Sequence, residues 1–392
     1  MIYKNNYELR KFVAPEIITG LDARLSVGRY IINLGGKKPM IVTDPSVSGQ
    51  LWFSEILNNI ESNDINYEIF EGVSENPRAS ETMDGAEQFL LEGCDLIVAI
   101  GGGSPIDCAK GISVVTSNGG YILDYEGVDE IRLPGPPLIC IPTTAGTAAD
   151  VSQFAIINDS VHMVKKAIIS KKIVPDLALI DPVPLMTMSS HLTACTGMDA
   201  LTHAIEAYVS NAQSALTDVH ALEAIYLLRK FIEDAIRPDR SIETMYQMML
   251  GSLLAGLAFS NASLGAVHAM AHSLGGYLDL PHGECNSILL SHIVGKNYES
   301  VPERYRLIAK KMGIATDELD DNNLKSKLTE HIAALRERVG ISSKFEVPSL
   351  NDAMLDQMTE NALMDPCMVT NPCVLSPNDV RDIYAGILVA RP

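Results

Sequence analysis

The chain has 392 residues, 47% hydrophobic and 20% charged, with a formal net charge of −19. That composition excludes a disordered chain, and the length calls for two domains. The acidic balance excludes nucleic acid or an anionic membrane as the main partner, since both demand basic patches.

Taken in chain order, the N-terminal run MIYKNNYELRKFV lacks the apolar core of a secretory leader. No stretch of about 18 apolar residues reads as a membrane span. The seven cysteines are odd in number, include no CxxC pair and suit a reduced, cytoplasmic setting. PMIVTD (39–44), INYEIF (65–70), DLIVAI (95–100), PLICIP (137–142) and LALID (177–181) read as strands. Helix-like stretches such as SETMDGAEQFLLEG (80–93) separate them, which predicts parallel βαβ units. Asp44 ends the first of these strands. Such a carboxylate can accept from a ribose diol, but spacing favours a helix cap or Asx-turn.

GGGSPID (101–107) follows a strand and opens a helix. Ser104 suits the N-cap, Pro105 the first turn, and Asp107 lies three residues past the cap. Gly101, Gly102 and Gly103 let an anion approach the backbone. A pyrophosphate cradle and a plain tight βα turn are equal readings, because Ile106 breaks the GxGxxG fingerprint. PTTAGTAAD (142–150) offers a second loop after a strand, with Thr143, Thr144 and Thr147 as its hydroxyls.

Beyond about residue 183 helical period takes over, at 192–209, 215–236, 241–259, 302–313, 323–339 and 377–389. The expected division is an α/β domain at 1–185 and an all-helical domain at 186–392. Asp199 and His203 share one helix face at i, i+4. The segment 263–287 holds His268, His272 and His282, the last in a PHG loop. Unpaired buried imidazoles are costly, so several in one apolar segment point to a divalent metal. Three imidazoles and a carboxylate suit Fe²⁺ or Zn²⁺ better than Ca²⁺ or Mg²⁺. Spacing alone leaves open which histidines bind.

GGGSPIDCAKGI, PTTAGTAAD, TGMDALTHAIEAYVS, NASLGAVHAMAHSLGGYLDLPHGECNSILL and MDPCMVTNP together resemble the iron-containing (group III) alcohol dehydrogenases, over nearly the whole chain. The resemblance implies a Rossmann-like N-terminal dinucleotide-binding domain with a parallel sheet. An all-α C-terminal domain follows, in a dehydroquinate synthase-like architecture. It implies metal ligands at Asp199, His203, His268 and His282, with His272 near metal and nicotinamide as a proton-transfer group. It places the cofactor NAD on Gly101, Gly102, Gly103, Ser104 and Asp107, on Thr143, Thr144 and Thr147, on Asp44 as the residue favouring NAD over NADP, and on Asn76 and Lys166. The implied reaction is NAD(H)-linked interconversion of a primary alcohol or diol and its aldehyde, in a cytoplasmic homo-oligomer of two or more chains. Gln153 and Phe154 fall where a pocket wall is expected. Glu284 departs from the small or apolar residue that many relatives carry, either as a second partner for His282 or as a change in substrate preference. Enzymes of the glycerol dehydrogenase or maleylacetate reductase type, and a non-catalytic regulatory or assembly protein on the same fold, are the rival readings.

Overall fold

The computed structural model describes residues 9–162, 164–347 and 350–391. Residues 1–8 of the N-terminal run considered for a leader lie outside them.

The described strands are β1 (Glu16–Thr19), β2 (Pro39–Val42), β3 (Glu68–Phe70), β4 (Leu96–Gly101), β5 (Gly127–Val128), β6 (Leu138–Pro142), β7 (Phe154–Asp159), β8 (Val164–Ile169), β9 (Leu177–Ile180), β10 (Phe345–Val347) and β11 (Leu388–Ala390). The main sheet runs β1-β9-β6-β4-β2-β3, and every neighbouring pair is parallel. Helices α1 (Val27–Asn33), α2 (Pro45–Ser48), α3 (Leu51–Glu61), α4 (Ala79–Leu91) and α5 (Gly103–Asn118) connect these strands.

A parallel sheet covered on both faces requires strands that are apolar at every position. LIVAIG of β4 is buried throughout. Its alternate residues serve different cores. Ile97 and Ala99 pack with Phe89 and Ile112 of α4 and α5. Leu96, Val98 and Ile100 pack with Val27, Phe53 and Ile56 of α1 and α3.

Two features escaped the sequence reading. The edge strand β1 is only four residues long. The antiparallel hairpin β7–β8 joins β5 in a small second sheet, and no two-residue glycine turn announces it.

From residue 190 helices dominate: α6 (Ser190–Val209), α7 (Ala215–Ala235), α8 (Ile242–Ala262), α9 (Ala266–Leu278), α10 (His282–Asn297), α11 (Pro302–Lys311), α12 (Asp321–Arg338), α13 (Asp352–Met364) and α14 (Pro377–Ile387). Met198, Leu201, Met248, Met270 and Leu289 are fully buried where these helices meet. Among the described residues no single helix is long and apolar enough to cross a membrane. The helices α8 and α9 meet at 100°, and the break lies at Ser263, whose φ is 60°. That bend turns α9 toward the C-terminal ends of the main sheet's strands, where open α/β sheets bind ligands.

Candidate active site

Ser189 caps α6 by accepting from Leu192 N at 3.1 Å. Further along, Asp199 and His203 project from a helix that is buried almost all round. The i, i+4 spacing therefore points both inward rather than making a surface pair. From α9 comes His268. Glu206, on α6, accepts from Val267 N at 2.7 Å and meets His268 Nδ1 at 2.5 Å. That contact fixes the ring's orientation and turns Nε2 toward Asp199.

His282 corrects the loop reading. It is the first residue of α10, with Pro281 as N-cap. PHG looked like a turn because Pro and Gly punctuate chains. Here the glycine serves close packing: a Cβ on Gly283 would lie 2.5 Å from the Cys195 carbonyl oxygen.

Asp199 Oδ1 stands 4.0 Å from His203 Nε2, 3.7 Å from His268 Nε2 and 3.7 Å from His282 Nε2. His203 stacks on Phe259 and on His268, at centroid distances of 4.3 and 4.5 Å. The amide nitrogen of Asn286 lies 2.6 Å from Asp199 Oδ1, 3.0 Å from His268 Nε2 and 3.1 Å from His282 Nε2. Two amide protons cannot serve three acceptors. The Asn286 carbonyl oxygen is buried without a partner.

Charges tell the same story. Burial drives the His203 imidazole down to about 3 despite Asp199, and drives His282 well below its usual range. Both are neutral near pH 7, as metal ligands must be. Burial opposes ionisation of Asp199, yet the surrounding imidazoles hold its carboxyl far below the usual range. His268 rises to about 9 against its burial, because it lies between Glu206 and Asp199. His268 lies between two buried carboxylates, Asp199 and Glu206, so one imidazole leaves a negative charge unbalanced, and a divalent cation among the donors supplies the balance. The donor set therefore fits Fe²⁺ or Zn²⁺.

His272 lies beside this centre, its ring stacked on His282 at 5.4 Å. Its Nδ1 is held at 2.9 Å by Asp365 Oδ2. Sequence reasoning named neither Glu206, Asp365 nor Asn286. The available signals were Glu206 seven residues after Asp199 on one helix face, and the acid of MDP.

A cleft joins these donors to Gly103, Ser104, Asp107, Thr147 and Asn76. The two loops after β4 and β6 touch: Thr143 N donates to Gly101 O at 3.0 Å. A Cβ on Gly103 would lie 2.8 Å from Thr147 Cγ2, and one on Gly102 3.2 Å from Thr144 Cγ2. Glycine is needed there for this approach.

The expected residues make the following contacts. Gly102, not Ser104, is the N-cap of α5, because the helix starts at Gly103. Ser104 Oγ instead donates to the Glu75 carbonyl. Asp107 caps nothing: it accepts from Ile156 N at 3.2 Å, and burial lifts it to about 6. Asp44 takes the bland role, capping α2 by accepting from Ser46 N and Val47 N at 2.9 and 3.1 Å. Lys166 turns away from the cleft and pairs with Glu126 at 2.7 Å. Its neighbour Lys165 lines the cleft instead. Adjacent strand residues face opposite ways, so an offset of one reverses the side. Asn76 donates to Asp279 at 2.9 Å, which ties the sheet half to the end of α9. Phe154 forms a cleft wall, whereas Gln153 is buried and donates to Ser260 O at 2.6 Å. Glu284 points away from the centre and pairs with His191 at 2.7 Å.

Comparison with known proteins gives a consistent picture. Residues 14–182 match the family model described as iron-containing alcohol dehydrogenase. Residues 193–388 match the model of the C-terminal part of the Fe-containing alcohol dehydrogenase family. The chain is 36% identical to 1,3-propanediol dehydrogenase of Citrobacter freundii over 384 residues, 97% of this chain and 99% of that one. It is 34% identical to NAD-dependent methanol dehydrogenase of Bacillus methanolicus over 377 residues, 96% and 99% of the two chains. The crystal structure of a 1,3-propanediol oxidoreductase superposes with a TM-score of 0.92 at 34% identity, covering 97% of this chain and all of that one.

Proposed function

The chain belongs to the iron-containing alcohol dehydrogenase family, and from that premise we propose that it interconverts a primary alcohol or diol and its aldehyde, with NAD(H) carrying the hydride. The observation that carries this reading is the convergence of Asp199 Oδ1 with three imidazoles in a cleft whose far wall is the glycine loop.

Asp199, His203, His268 and His282 hold the iron in this reading, with zinc as the alternative. When bound, the ion supplies Lewis acidity toward an alcohol or carbonyl oxygen. The remaining work falls to the protein. Glu206 holds the His268 ring so that Nε2 faces the centre. Asp365 fixes Nδ1 of His272, and His272 passes the alcohol proton toward solvent or returns it through Nε2. Phe154, Phe259 and Leu264 give the cleft apolar walls that keep water from the carbinol carbon. Gly101, Gly102, Gly103 and the first turn of α5 receive the pyrophosphate, with Thr143, Thr144 and Thr147 beside it. Lys165 is the one lysine or arginine among the described residues lining the cleft, and in this reading its charge favours that anion. Asp44 disfavours a 2′-phosphate near its carboxylate, which supports NAD over NADP.

The domain division at 185–186 is part of the same reading, and so is a homo-oligomer of two or more chains. Six buried cysteines and a seventh half-buried, all free, support the cytoplasm. The intact donor set argues against both the non-catalytic reading and enzymes of the glycerol dehydrogenase or maleylacetate reductase type.

His268→Ala tests the assignment. It is expected to lose metal and alcohol-dependent NADH formation together, while NADH binding measured by fluorescence stays within about 3-fold. Full turnover in a metal-free His268→Ala protein would refute the assignment.

A further inference from the structure

Four residues of α6 stand at four-residue intervals: His191, Cys195, Asp199 and His203. On a helix that spacing forms one continuous stripe. The inner pair belongs to the centre described above. The outer pair meets Glu284, which leaves the first turn of α10 in the opposite direction from His282.

We propose that His191, Cys195 and Glu284 form a second divalent-cation site, specific for Zn²⁺, at the outer mouth of the α6–α10 contact. His191 Nε2 lies 2.7 Å from Glu284 Oε1 and 3.6 Å from Cys195 Sγ. All three donor atoms fall within 4.8 Å of one another. Tetrahedral zinc, at about 2.3 Å from sulfur and 2.0 Å from nitrogen, separates those two ligands by about 3.5 Å. The sulfur–nitrogen distance already has that value. The nitrogen–oxygen pair must open by roughly 0.6 Å, and both side chains sit at the protein's edge.

A surface His–Glu pair is the bland account, and such pairs contribute little. It gives no role to the thiol. A nitrogen, a sulfur and an oxygen facing one point make a borderline-soft set, which selects zinc over Ca²⁺ or Mg²⁺. Access also suits a metal. The His191 side chain is 61% exposed while Cys195 is 5% exposed, so the site has a solvent side for entry and for a fourth, water ligand. Binding releases the Cys195 thiol proton to solvent and takes Glu284 as carboxylate and His191 as neutral imidazole. Zinc here ties α10 to α6 two residues from His282 and one turn from Asp199. The site therefore braces the two helices that carry the first centre, and its occupancy follows free metal because it is open to solvent. The proposal stands apart from the catalytic reading.

Cobalt is the probe. The purified enzyme, carrying its own metal and freed of excess by gel filtration, is titrated with Co²⁺ without oxygen. One equivalent is expected to give a near-ultraviolet thiolate-to-cobalt band with tetrahedral visible transitions, bleached by one equivalent of Zn²⁺. His191→Ala and Cys195→Ser are each expected to abolish the band and keep their original metal and alcohol-dependent NADH formation. His191 is exposed, so its variant folds even where a change at buried Cys195 disturbs packing. Absence of the band from the parent protein, or its survival in either variant, would overturn the site. Failure of the catalytic reading would show differently, as a protein without turnover whose cobalt band is intact.

Discussion

Glu206 does two things with one carboxylate, accepting from the first turn of α9 and orienting His268. Buried charge is tolerated there because both oxygens are paired. Glu206→Gln keeps the shape but can present an N–H to His268 Nδ1 and reverse the ring's tautomer. Changes to such supporting groups typically cost 10- to 100-fold in metal affinity. That loss is the expected outcome, measured by competition with a chromophoric chelator, with the far-ultraviolet circular dichroism unchanged. Unchanged affinity would show that the tautomer is fixed by other contacts. At this scale a cluster of imidazoles with a carboxylate was legible in the sequence, spacing left open which histidines bind, and the supporting groups were not legible. Asp199 and His203 announce themselves by i, i+4 spacing on one helix. Asp365 reaches His272 from 93 residues away, a contact only the folded chain makes.

The contact between α6 and α10 sets the position of His282, and Gly283 sets the contact. A Cβ there would lie 2.5 Å from the Cys195 oxygen and 2.8 Å from its carbonyl carbon, and backbone cannot rotate aside as a side chain can. Gly283→Ala therefore pushes the start of α10 off α6. The expected cost is about 1–3 kcal/mol of stability from overpacking, with weakened metal binding because His282 moves with its helix. Calorimetry and metal analysis of the variant check both, and an unchanged melting temperature would contradict the packing argument. The same contact shows why elements were unevenly legible. Buried parallel strands such as LIVAIG carry their identity in six consecutive apolar residues. The hairpin β7–β8 does not: it carries two lysines and lacks a glycine turn. The face that Lys165 and Lys166 present depends on register, which composition does not encode.

Across the whole molecule, the groups proposed for the metal and those proposed for the dinucleotide come from different layers. The metal donors sit on α6, α9 and α10, which pack through Met198, Leu201, Met270 and Leu289 around a core complete without the ion. The cofactor groups lie on loops after β4 and β6, whose positions are fixed by the parallel sheet. Removing the metal should therefore leave the fold and the cofactor loops standing. What it removes is the charge opposing Asp199. Stability should then depend on metal by mass action, gaining about 2.7 kcal/mol at one hundred times the dissociation constant, and the melting temperature should rise with it. His268→Ala should show no such gain, since the site that binds the ion is broken. Chelator-treated protein should bind NADH within about 3-fold of the loaded form, because Lys165, Thr147 and the start of α5 do not rest on the metal. Scanning calorimetry across a metal series, beside NADH fluorescence on the same samples, measures both at once. A fall in NADH affinity that tracked metal loss would mean that the two layers are coupled through the Asn76–Asp279 tie, and that the cleft closes only when both ligands are present.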